Sequence, residues 1–94
     1  MRVLSLVKLI RLAKDLNFGE DNSFLLGAIT GRIFMMCDLG LMSDKDSELL
    51  ANYVDSFIDI DDADTFLVEQ DSLIKIFNEF IKDGNSPALQ ELHK

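Results

Sequence analysis

Apolar residues recur at α-helical spacing through almost the whole chain, and capping or breaking residues cut that pattern into short lengths. From Arg2 to Leu16, the polar residues Arg2, Ser5, Lys8, Arg11 and Lys14 recur every third position. Val3, Leu6, Leu9, Ile10, Ala13 and Leu16 fill a broad opposite face, while Leu4, Val7 and Leu12 fall outside it. A helix this greasy has to be covered on two sides. Asn17-Phe18-Gly19 ends it, with Gly19 suited to a left-handed stop. Asp21, Asn22 or Ser23 can cap a second helix running to about Asp38, and Gly27 and Gly31 lie inside it, each costing about 1 kcal/mol relative to Ala.

Leu39-Gly40-Leu41 reads as a turn, and Ser43 with Asp46 as a capping box in which Asp replaces the usual Glu. The third helix, Asp44 to about Ile58, carries one apolar stripe of Leu49, Leu50, Tyr53, Val54, Phe57 and Ile58. After Asp59-Ile60-Asp61-Asp62-Ala63-Asp64, the spacing predicts one helix from Asp62 to Lys82, or two with a second cap near Asp71 and Ser72. Phe66, Leu73 and Phe80 recur every seven residues there, and Ala63, Leu67, Gln70, Ile74, Phe77 and Ile81 supply a second seam. Asp83-Gly84 is a stop, and Ser86-Pro87 starts a short last helix. The expected fold is therefore all-α: a small antiparallel bundle of four main helices plus a short C-terminal helix, in a single domain over 1–94 with connections of two to five residues.

With 48% hydrophobic residues among 94, the chain can build a core and is not expected to be disordered. No apolar run reaches the roughly 18–20 residues of a membrane span. The apolar start resembles the middle of a signal peptide, but Lys8 and Arg11 interrupt it and no small-residue cleavage pattern follows, so it reads as a retained helix. One cysteine, Cys37, leaves no intramolecular disulfide to form and points to the reducing cytoplasm.

Charge is the strongest local signal. Net charge is −8, and it is divided unevenly. Met1–Cys37 holds five bases and three acids, a net of +2, whereas Asp38–Lys94 holds four bases and fourteen acids, a net of −10. Between Lys45 and Lys75 every charged residue is acidic. This argues against direct nucleic-acid or anionic-membrane binding and suits a cationic partner. The candidate docking face is Asp55, Asp59, Asp61, Asp62, Asp64, Glu69 and Asp71. The plainer alternative is an acidic surface that serves only solubility.

Little suggests chemistry. Read as a calcium loop from Asp59, the chain places Ala63 at position five, Asp64 at the glycine position and Gln70 at the bidentate acid, so three of five requirements fail. Helix capping by Asp61 or Asp62 explains the same residues more simply. Cysteine–histidine, serine–histidine–aspartate, P-loop and Rossmann signatures are missing from the sequence; His93 reads as an exposed residue of a frayed end and Cys37 as a small hydrophobe. Neither enzyme activity, nor a metal, nor a cofactor is expected.

The first two helices hold more apolar surface than a chain this short readily encloses, which predicts a homodimer through Leu6, Leu9, Ile10, Phe24, Gly27, Gly31 and Phe34. The basic stripe of Arg2, Lys8, Arg11 and Lys14 would then face acids of its own chain or of a second copy. The leading functional expectation is an inhibitor or regulator whose acidic helices dock on a basic, nucleic-acid-binding or nuclease surface of a partner protein. The alternative is a homo-oligomeric adaptor in which charge only keeps the protein soluble. Cys37-Asp38-Leu39-Gly40 followed by Ser43 and Asp46 resembles the helix–turn–helix joints of tellurite-resistance-type domains, over residues 37–46 only. In size and charge the chain is also similar to bacteriophage inhibitors and toxin-immunity proteins. Neither likeness assigns a family.

Overall fold

The computed structural model describes residues 2–92, with side chains from Leu4 onward; His93 and the side chain of Arg2 lie outside the described residues. The described chain is helical without a strand, in the order α1 (Arg2–Lys14), α2 (Ser23–Asp38), α3 (Asp44–Asp55), a 3₁₀ turn (Ser56–Asp59), α4 (Ala63–Asp83) and α5 (Pro87–Glu91). The expected all-α bundle of four main helices and a short fifth is thus present.

Helix α1 is the central element, packed between α2 and α4. Its Leu6, Leu9, Ala13 and Leu16, spaced three or four apart, are all buried. The helix stops at Lys14, two residues short of the expected end. There the side-chain amide of Gln70, from α4, donates to the carbonyls of Ala13 (2.8 Å) and Leu16 (2.9 Å). A distant residue thus satisfies carbonyls that a helix end leaves open. Helices α1 and α4 run antiparallel, since Gln70 meets the end of α1 while Phe66, one turn earlier in α4, lies 5.9 Å from Phe18 beyond that end.

The α1–α2 connection is eight residues (15–22), longer than the expected two to five. It is closed on itself by side chains. Asn17 N–H donates to Asn22 Oδ1 (3.2 Å), Asn22 Nδ2 donates to the Asn17 carbonyl (3.0 Å), and Gly19 takes a left-handed φ of 85°. Asn22 is spent on this closure, and Asp21 Oδ1 instead accepts the Ser23 N–H at 2.9 Å.

Helix α2 turns Leu26, Ile29, Ile33 and Met36 inward. It ends in a Schellman motif at Gly40 (φ 76°), where Leu41 N–H reaches the Met36 carbonyl and Gly40 N–H that of Cys37. Ser43 Oγ caps α3 by accepting the Asp46 N–H (3.1 Å). Only that half of the expected capping box is seen, because the Asp46 carboxylate accepts from Gln90 at 2.9 Å. The chain then tightens to 3₁₀ geometry at Ser56, which rotates Ile58 out of the apolar stripe and leaves it 69% exposed while Phe57 stays buried.

Helix α4 is one unbroken helix, capped by Asp62, which accepts the Thr65 N–H at 2.9 Å, and stopped by Gly84 at φ 75°. Phe66, Leu73 and Phe80 are buried as a seam. The second seam is only partly covered: Phe77 is buried and Ile74 and Ile81 pack against the core, but Ala63 and Leu67 are exposed. Ser86 caps α5 through the Leu89 N–H, with Pro87 in its first turn, and also donates to Glu79 (2.7 Å).

Candidate binding surfaces

The fold brings the α1–α2 loop beside the 3₁₀ turn and the start of α4, and a cleft of ≈ 360 Å³ opens between them. Its floor is aromatic. Phe18 and Phe66 lie 5.9 Å apart, Phe66 meets Phe57 edge-on at 5.9 Å, and Phe57 meets Tyr53 edge-on at 5.6 Å. Its rim carries Glu20, Asp21 and Asp61, and no Lys or Arg among the described residues lines it. Glu20 and Asp21 come from the half of the sequence that is basic on balance. The packing of Phe18 on Phe66 helps join them to the later acidic run, and nothing local in the sequence signals it.

The seven acidic positions have separate fates. Asp55, Asp59, Asp61, Asp62 and Asp64 are exposed, along the end of α3, the 3₁₀ turn and the start of α4. Of these, Asp61 shares the cleft with Glu20 and Asp21, and this region with the neighbouring acidic run is termed the acidic end. Glu69 is half-buried and is held by Tyr53, whose hydroxyl sits between the Glu69 carboxylate and its backbone carbonyl. Burial and that carboxylate push the Tyr53 hydroxyl well above its ordinary range, so it stays protonated as a donor. Asp71 is exposed but lies elsewhere, on a shallow groove along α4 with Lys75, Glu79 and Lys82.

Hydrogen bonds from Ser23 hold the Asp21 carboxyl below the usual carboxylate range, and those from Thr65 do the same for Asp62. Both stay charged as the pH falls into the ordinary carboxylate range, and the bonds weaken only below it. Cys37 Sγ donates to Asp44 Oδ1 at 2.9 Å, and that bond raises the thiol above its ordinary range. The cysteine is therefore a half-buried neutral donor and not a reactive thiolate.

The residues expected for self-association also divide. Leu6 and Leu9 are enclosed in the chain's own core and Ile10 packs against it, because α4 covers that side of α1. Phe24 (85% exposed), Gly27, Gly31 and Phe34 (47%) face outward on α2, and Met35 joins them. A methyl group added at either glycine would meet nothing within 4 Å.

Among the described residues, no three His, Cys, Asp or Glu side chains sit close enough together to hold a metal, and no helix is long and apolar enough to cross a membrane. No family model, curated protein or solved structure matches the chain.

Proposed function

We propose that this chain is a non-enzymatic interaction protein, an inhibitor or regulator in the cytoplasm, that docks its acidic end on a basic surface of a partner protein. One observation carries the reading: Glu20 and Asp21 meet Asp61 at a single cleft, and Asp61 sits within the exposed acidic run of Asp55, Asp59, Asp61, Asp62 and Asp64. A one-signed field around low-dielectric walls raises the local concentration of cations and their encounter rate. Basic surfaces that bind nucleic acid have the matching sign.

The test is charge reversal that spares the cap. Changing Asp59, Asp61 and Asp64 to Lys leaves Asp62 on Thr65 and should keep the fold. Association with a lysine- and arginine-rich probe peptide, followed by stopped flow at low salt, should slow about tenfold or more. Reversing Asp38, Glu48 and Asp83 alters net charge equally but elsewhere, and should leave the rate close to that of the unaltered protein. Equal slowing in both variants would mean that net charge alone matters.

The outward face of α2 favours a second reading, a homodimer. Phe24 and Phe34 stand symmetrically about position 29, as do Gly27 and Gly31. An antiparallel second copy would set Phe24 against the partner copy's Phe34, with the glycines at the crossing where backbones approach. The acidic end would stay free.

A further inference from the structure

Resting on the acidic-end reading, we propose that the cleft between the α1–α2 loop and the 3₁₀ turn is an anchor site for a single arginine side chain presented by the partner. Its ≈ 360 Å³ is at the small end of ligand sites, enough for one long side chain and little for a cofactor. Arginine matches both layers of the site. A guanidinium plane stacks on an aromatic face, offered here by the half-exposed Phe18 over the buried Phe57 and Phe66, and its donor fork suits carboxylates, offered by Glu20, Asp21 and Asp61. Lysine has a compact, strongly hydrated charge that gains less from a ring face.

The rim needs little ordering on binding. Asn17 and Asn22 close the loop with two hydrogen bonds, and Asp21 is pinned to the Ser23 N–H. Ile58, 69% exposed beside the opening, gives an apolar ledge for residues flanking the arginine. Among the described residues no Lys or Arg lines the site beside these carboxylates.

The experiment titrates the full chain with a blocked leucine–arginine–leucine peptide, read by backbone and aromatic NMR shifts. Controls replace the arginine with citrulline, its uncharged isostere, or with lysine. Saturable shifts are expected at Gly19–Asn22, Asp61 and Phe66, absent with citrulline and weaker with lysine. Affinity should fall about tenfold in the double variant Glu20→Gln/Asp61→Asn and again in Phe18→Ala, which removes a half-exposed ring and no charge. Unchanged shifts on α3 and α5 would establish that these variants stay folded.

Shifts scattered over the whole acidic surface, or Phe18→Ala binding like the unaltered protein, would overturn the anchor site. The acidic-end reading would survive either result, because it is judged by the stopped-flow comparison of charge reversals. Lysine binding as tightly as arginine would likewise overturn the choice of arginine.

Discussion

Helices α1 and α2 are similarly rich in apolar residues, yet the bundle treats them differently. Helix α1 lies between α2 and α4, and its inward stripe at Leu6, Leu9, Ala13 and Leu16 is no more than 2% exposed. Helix α2 packs on α1 and α3, and among the described residues Phe24, Phe34 and Met35 on its outer side remain at the surface. Apolar content says that a helix needs covering; the number of neighbours decides how much covering it receives. What α2 leaves open is the surface on which the homodimer proposal rests, and what α1 presents is already taken.

The contrast can be tested from both sides. Leu9→Ala should cost about 2–5 kcal/mol in denaturant unfolding, because it empties space inside a packed core. A cost below 1 kcal/mol would mean that α1 is not the enclosed element. The reverse sign is expected on α2. Gly27→Ala with Gly31→Ala should stabilise the separated monomer by about 1–2 kcal/mol, since each gains helix propensity in open space. The same pair should weaken self-association in sedimentation equilibrium if backbones cross at those glycines. The smallest effect on folding belongs to Phe24→Ser, within about 0.5 kcal/mol for so exposed a residue. If it leaves sedimentation unchanged at every concentration, the outer face of α2 is not an interface.

Side-chain caps and the glycine stop of α4 were legible, because such signals are local, whereas the ends of α1 and α3 fell two to three residues short of their expected positions. Ser43, Asp62, Gly84 and Ser86 occupy the positions their chemistry predicts. Features that depend on distant partners were not legible. Asp46 is drawn to Gln90 instead of completing a capping box, and Ile58 leaves its stripe when the chain tightens at Ser56. Along the chain Glu69 looks like any other acid; only packing sets it on Tyr53. The acidic end was half visible, as the run from Asp55 to Asp64. Its other half, Glu20 and Asp21, arrives with a tilted ring contact across 48 positions, from Phe18 to Phe66.

The hydrogen bonds from Gln70 to Ala13 and Leu16 span 57 and 54 residues. During synthesis the first helix is made long before the fourth can reach it, and the side of α1 that packs on α4 stays uncovered until most of these residues have been made. The nascent protein is therefore most vulnerable to aggregation before its fourth helix appears, and a chaperone that shields the leading segment would act in that interval.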